Sequence, residues 1–366
     1  MSDPIAQLRL IRTDGVGPQT YRRLIDRFRT PAAALDALPG IARNAGRAIA
    51  PATPSAAQAQ AELDRHAQLG ATPIFLGDTL YPPLLAELPD APPMIAVRGD
   101  PALLARPTMA IVGARNASVN GQRIAETLAD DLAKAGYNVV SGLARGIDGA
   151  AHRGALRTGY TLAAIPGGMD KIYPPEHADL QARIAEAGAV IAESPPGTAP
   201  MARHFPKRNR IIAGLALGVV VIEAAHRSGS LITARMALDY HRELFAVPGS
   251  PLDARCQGSN DLLRQGAHFT ENLTDILANL PTYRAGSGLA EPSQPPVLAA
   301  DFNERDHEAA RTHLTELLSA SPMPVDEIAR RCHFSPAALS AALMELELIG
   351  RIEALPGNRV GLIAPV

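Results

Sequence analysis

Four cations, Arg203, Lys207, Arg208 and Arg210, fall within eight residues of a chain whose formal charge is -2, and His204 and Phe205 stand among them. So dense a cluster in a slightly acidic protein points to a local anionic ligand, not to a global basic field. Glycine-rich turns recur before and after it: Gly113-Ala114-Arg115, Ser141-Gly142, Gly167-Gly168 and Ser228-Gly229-Ser230. Each offers backbone N–H groups to an anion. A phosphodiester chain needs repeated positive charge, N–H donors for its oxygens and flat faces for its bases. Arg115, Lys207, Arg208 and Arg210 supply the charge, the glycine turns supply the donors, and Phe205 and Tyr173 supply flat faces. Single-stranded nucleic acid leads as the ligand on these residues, with a phosphorylated small molecule close behind.

Enzymatic readings have fewer residues behind them. Asp148, His152, Glu193 and Glu223 lie in or beside the glycine turns and are of types that exchange protons. The structural alternative has Asp148 capping the helix that carries His152, and Glu193 and Glu223 pairing with nearby arginines. Arg210, beside an apolar run, is the arginine best placed for such a pair. The stretch "GARNASVNG", Gly113 to Gly121, lacks the G-x-G-x-x-G spacing of a dinucleotide site, and no G-x-x-x-x-G-K-[ST] occurs. The two cysteines, Cys256 and Cys332, stand far apart and fit no metal spacing, and neither a metal nor a cofactor is expected.

The elements that must position these residues are legible in the hydropathy pattern. Residues 1–70 read as helical, net +3 from nine Arg against six Asp and Glu. Within them Gly15-Val16-Gly17-Pro18 separates two amphipathic segments, the pattern of a helix–hairpin–helix that presents free N–H groups to a phosphate. "LPGIARNAGRAI" is a weaker second copy. Residues 71–280 carry short unbroken apolar runs, each closed by a glycine-rich turn: "TMAIVGAR", "YNVVSGLARG", "YTLAAIPGG", "AVIAESPPG", "LGVVVIEA" and "ELFAVPGS". Such alternation predicts an α/β domain, a doubly wound Rossmann-like parallel sheet with ligands at the C-terminal strand ends. Residues 281–300 form a Pro/Gly/Ser-rich linker. Residues 301–366 predict a winged helix-turn-helix, with Ser335 as N-cap and Pro336 at the first helical position.

That last domain holds ten Asp and Glu against six Arg, a balance of -4, and "SPAALSAALMELELIG", in the recognition position, has no Arg, Lys, Asn or Gln. It is therefore expected to contact protein instead of DNA. The chain's longest apolar run, Ile211 to Ile222, has about 12 residues where a bilayer span needs roughly 20. With no charged-then-apolar leader at the start, a soluble cytoplasmic protein with no membrane contact is expected.

The motifs "GARNAS", "SGLARGIDGAAHRGAL", "AIPGGMDKIYPPEH", "ESPPGTAPMARHFPKRNRIIAGL" and "EAAHRSGSLITARMALDYHRELFAVPG" together resemble the DNA-processing protein A family, also called Smf. The likeness runs from about Tyr81 to His268, and the flanking domains resemble those of its longer members. It implies a homodimer that is not an enzyme, binds single-stranded DNA, protects incoming strands during natural transformation and loads the RecA recombinase. The family's pocket maps onto Gly113 and Arg115, onto Phe205, Lys207, Arg208, Asn209 and Arg210, and onto Ser228, Gly229 and Ser230. The glycine turns add Ser141, Gly142, Gly167 and Gly168 as DNA-binding expectations. One departure is Ala114, where the family usually has Ser, which implies one lost hydroxyl contact to phosphate. The rival is a nucleotide-processing phosphoribohydrolase. Its Pro-Gly-Gly-x-Gly-Thr-x-x-Glu loop is not matched by "PGGMDKIY", Pro166 to Tyr173.

Overall fold

The computed structural model describes residues 3–44, 51–280, 304–318, 321–332, 334–355 and 357–363, and the 281–300 linker lies outside them. The chain divides into two compact units: Glu62–Ala285 is one, and Met1–Ala61 together with Gly286–Val366 is the other.

The larger unit is built on a sheet of nine strands. They are β1 (Ala71–Phe75), β2 (Met94–Gly99), β3 (Thr108–Gly113), β4 (Asn138–Ser141), β5 (Thr161–Ile165), β6 (Ala189–Ala192), β7 (Gly218–Ile222), β8 (Glu243–Ala246) and β9 (His268–Phe269). Their order is β1-β2-β6-β5-β4-β3-β7-β8-β9. The six apolar runs of the sequence become β3 to β8, parallel throughout. Burial on both faces explains their unbroken apolar character: every residue of β5 and β7 is buried. One face packs Ile191, Val219 and Ile212, the other Ile111, Val220 and Phe245.

The sequence pattern predicts a parallel sheet, but the sheet is mixed. β1 pairs antiparallel with β2, and β2 pairs antiparallel with β6, so the sheet carries an antiparallel edge. Glycines do close both segments, Gly77 and Gly99, but only the four-residue helix Pro83–Ala86 and the 3-10 turn Pro101–Ala105 follow them, so the crossover helix that marks the parallel strands is missing there. The two-residue β9 is too short for any periodic signal. Strand order reverses at β3, which lies between β4 and β7. That switch point opens a crevice at the C-terminal ends of β3 and β7.

The smaller unit combines the two ends of the chain. Helices Pro4–Ile11, Pro18–Phe28 and Pro31–Asn44 come from the N-terminal end. Leu38-Pro39-Gly40 lies inside the third of these helices, not in a second hairpin turn. The C-terminal end supplies helices Glu304–Leu317, Val325–Arg331 and Pro336–Leu348, with β10 (Met323–Pro324), β11 (Ile352–Leu355) and β12 (Arg359–Leu362) paired in the order β10-β12-β11. This is the expected winged helix. Ser335 caps its third helix by accepting the Ala338 N–H at 3.2 Å. Leu314, Ile328, Leu339, Leu343 and Val360 form its core. A second core joins the two ends: Leu10, Val16, Tyr21 and Leu24 pack with Met344 and Leu348.

Candidate nucleic-acid interface

Two backbone turns frame the crevice. The first leaves β3 at Gly113, passes Ala114 and Arg115, and enters helix Val119–Lys134, whose N-cap Ser118 accepts the Gly121 N–H at 2.9 Å. The second leaves β7 at Ile222 and reaches Ser228-Gly229-Ser230 at the start of helix Gly229–Asp239. Glu223 ties the two turns together. One carboxylate oxygen accepts the Ser118 N–H at 2.8 Å and the other accepts the Ser118 hydroxyl, and its backbone sits at φ 51°. Both of its carboxylate oxygens thus serve the scaffold. The N-cap Ser228 makes no side-chain cap bond to helix Gly229–Asp239, and Ser228 and Ser230 meet through their hydroxyls at 2.8 Å. The positive end of that helix faces the cavity.

The third wall comes from helix His204–Leu215. Phe205, Arg208 and Asn209 line a cavity of about 470 Å³ with Gly113, Arg115 and the 228–230 turn. Arg208 is buried to 5% exposure. Its Nη1 donates to the Ala164 carbonyl at 3.0 Å, while its buried Nε has no acceptor among the described residues. A buried guanidinium N–H without a partner is costly, and this one belongs to a side chain in the cavity wall. Burial draws the Arg208 pKa down to about 10, against the pull of Asp148. The group stays cationic at neutral pH. Gly142 makes room for it: a Cβ there would come within 1.7 Å of Arg208 Nη1. Gly142 therefore acts behind the wall and not in it.

Phe205 does not offer a bare stacking face. The Arg115 guanidinium lies 4.9 Å from its ring centroid and that of Arg208 5.9 Å, while Tyr173 meets the ring edge-on at 5.6 Å. Phe205 thus holds two cations by cation–π contact, and a base stacking on that face must share the ring with Arg115. The exposed ring of Tyr173 extends the aromatic surface.

Several expected site residues lie elsewhere. Arg210 points away from the cavity into a buried ion pair with Glu193, and its Nε donates to the Lys207 carbonyl at 3.2 Å. It is a fold-stabilising residue and leaves the expected phosphate contacts. Lys207 is exposed and outside the cavity lining. Ser141 is fully buried and donates its hydroxyl to the Ile111 carbonyl at 2.6 Å. Gly167 and Gly168 pack against the 195–200 segment, where the Gly168 N–H donates to the Thr198 carbonyl at 2.9 Å. The cavity also uses residues that carried no signal of their own: Asn116, Ile232, Thr233 and Arg255. Arg255 follows the C-terminal end of β8 and pairs with Asp253 at 2.7 Å. Its place beyond a parallel strand end was the available clue.

Of the proton-exchanging candidates, Asp148 lines the cavity, while His152 is buried outside its lining. Asp148 accepts the N–H groups of Gly142 and Ala144 at 3.1 and 3.4 Å, and burial pushes its carboxyl up against the opposing pull of Arg208. His152 is fully buried. Its Nε2 accepts the Leu143 N–H at 3.3 Å, and its Nδ1 contacts the Thr161 hydroxyl at 2.7 Å. That hydroxyl donates to the Val139 carbonyl, so Nδ1 must carry the ring proton. Burial lowers its pKa to about 3. A neutral imidazole committed on both nitrogens is a structural group.

A family model described as DNA recombination-mediator protein A matches residues 72–281. The chain belongs to this family. A DprA-like N-terminal HHH domain model matches residues 2–64 of this family member, and a DprA winged helix domain model matches residues 298–358. Protein Smf of Escherichia coli is 39% identical over 287 residues, which are 77% of this chain and 75% of the relative. The DNA processing protein DprA of Streptococcus pneumoniae is 44% identical over 202 residues, 55% of this chain and 71% of the relative. The X-ray structure of DNA processing protein A from S. pneumoniae superposes with a TM-score of 0.66 at 32% identity, covering 77% of this chain and 100% of that one. A structure of DNA processing protein A from Helicobacter pylori, described by its single-stranded DNA binding mode, gives 0.52 at 31% identity, covering 57% and 94%.

Proposed function

We propose that the crevice at the β3–β7 switch point binds the backbone of single-stranded DNA. The observation that carries this reading is a cavity lined by both the Arg208 guanidinium and the uncapped start of helix Gly229–Asp239. Both are donors of the kind a phosphate satisfies. Arg115 on Phe205, with Tyr173 beside it, gives the strand a cationic and aromatic surface. The H. pylori relative, described by its single-stranded DNA binding mode, supports the same ligand. A cavity of about 470 Å³ has the size of a small-molecule site, so it takes one nucleotide unit while the neighbouring ones run over the exposed Lys207 and Tyr173. Gly113 and the 228–230 turn supply backbone donors; Asn209 donates to the Gly229 carbonyl at 3.4 Å and braces that turn. The four-part division at 70, 280 and 300 is retained for function, with the 71–280 part as the DNA-binding domain.

On this reading the protein is a DNA-processing factor and not an enzyme. It works in the cytoplasm as a homodimer, protects incoming single strands during natural transformation and hands them to the RecA recombinase. The hydrolase reading has less support, because His152 is buried and hydrogen-bonded on both ring nitrogens and Glu223 is bonded to Ser118. The test is a titration with single- and double-stranded oligonucleotides of one length at two salt concentrations. Tighter single-strand binding, with a salt slope of about -0.7 per phosphate contact, is expected. Equal or tighter duplex binding would refute it.

A further inference from the structure

The sequence raises a second phosphate-type site, the hairpin turn at Gly15-Val16-Gly17-Pro18, and a winged helix whose acidic third helix suits no DNA backbone. The structure brings the two together. Thr20, in the first turn of helix Pro18–Phe28, donates its hydroxyl to the Glu347 carboxylate of the winged helix. The approach depends on glycine. A Cβ on Gly17 would stand 2.5 Å from Glu347 Oε1, and one on Gly15 would stand 2.9 Å from the Leu348 Cα. Gly17 provides no side-chain cap for the helix it precedes. Arg23, one turn further along the same helix, feels the Glu347 charge. On the other side, Gln19 donates to the wing residue Asn358 at 2.9 Å. Met344 and Leu348 complete the apolar contact. Glu345, beside them, reaches Arg311 of its own domain at 4.0 Å.

A carboxylate at the start of a helix, hydrogen-bonded to a hydroxyl and within the field of an arginine, is what a backbone phosphate would supply there. This one comes from a segment more than three hundred residues away in the chain, whose domain carries -4 against the +3 of residues 1–70. We propose that the winged helix is an intramolecular plug: Glu347 occupies a phosphate site of the N-terminal hairpin, and that site accepts a duplex DNA backbone only when the winged helix leaves. The winged helix then acts as a gate and not as a reader of bases. This inference does not rest on the crevice, which belongs to the other unit, and parallel single-strand titrations keep the two apart.

The test uses the full-length chain and a duplex oligonucleotide at low salt. Glu347→Ala is expected to raise duplex affinity about tenfold, the worth of one charge-assisted contact, with single-strand affinity unchanged. Adding Arg23→Ala should abolish the gain. Glu347→Gln, which keeps the size and a hydrogen-bond acceptor for Thr20, substitutes if the alanine variant unfolds. Hydrogen exchange on the unaltered protein gives an independent reading: saturating duplex should speed exchange across 342–348 and slow it across 17–21. A folded Glu347 variant without a duplex gain, a gain that survives Arg23→Ala, or exchange indifferent to duplex would each overturn the proposal.

Discussion

The crevice and the N-terminal hairpin are made of the same parts. Each has a glycine turn, a helix start without a side-chain cap and at least one largely buried arginine. They differ in what completes them. At the hairpin, Glu347 stands where an anion would stand, and Met344 and Leu348 seal the contact. At the crevice, the facing carboxylates are engaged elsewhere: Asp148 with backbone N–H groups, Glu223 with Ser118 and Glu193 with Arg210. An Arg208 N–H is left over. The lesson is that an anion site is defined by its unmatched donors, and glycine turns alone do not reveal whether the protein has already matched them.

The sharpest test of that contrast is Arg208→Ala. It removes the unmatched donor and leaves Asp148 buried beside no cation. Single-strand affinity should fall about a hundredfold, at the upper end for a hydrogen bond to a charged group. Thermal unfolding should shift as well, since the change removes a buried side chain bonded to the Ala164 carbonyl and the cation that opposes the burial of Asp148. Arg208→Lys, which keeps the charge, separates the two effects. Wild-type affinity in a folded Arg208→Ala protein would erase the contrast.

Leu348→Ala probes the other side. Truncating a fully buried leucine costs about 2–5 kcal/mol, and here the loss should fall on the unit that joins the two chain ends. Urea unfolding should show it, while single-strand affinity stays within about twofold. A large affinity loss would mean that the two regions are energetically coupled. Phe205→Ala should weaken single-strand binding by about 1–3 kcal/mol, the range for one base–aromatic contact. Because Arg115 rests on that ring, the double variant with Arg115→Ala should lose less than the sum of the singles; strict additivity in equilibrium titrations would show the stacked pair to be irrelevant.

The smallest effect is a pH slope. His152 is held near a pKa of about 3, below its ordinary value of about 6.5. The unfolded chain therefore binds the extra proton first. Stability from this group is complete above about pH 6.5 and declines as pH falls toward 3, by at most about 1.4 kcal/mol per pH unit. Denaturant unfolding at pH 7 and pH 5 should show the decline, and His152→Gln should flatten it. An unchanged slope in that variant would assign the pH dependence to other groups.

Local pattern was enough for much of this protein. Unbroken apolar runs closed by glycine fixed β3 to β8, because a parallel strand buried on both faces admits no polar alternation. Ser335-Pro336 fixed a helix start through a hydrogen bond three residues long. The cation cluster and the 228–230 turn pointed to the end of the sheet where the cavity lies, since parallel strands gather their C-terminal loops there. Tertiary structure decided the rest. Arg208 and Arg210 sit two positions apart on one helix, about 200° around its axis. One faces the cavity and the other faces Glu193, whose position depends on the packing of β6 beside β5. The antiparallel β1–β2 edge and the meeting of Thr20 with Glu347 follow the same logic. Periodicity and caps are set within a few residues and can be read along the chain, whereas a buried charge takes its role from a partner distant in sequence, which only the folded chain brings into range.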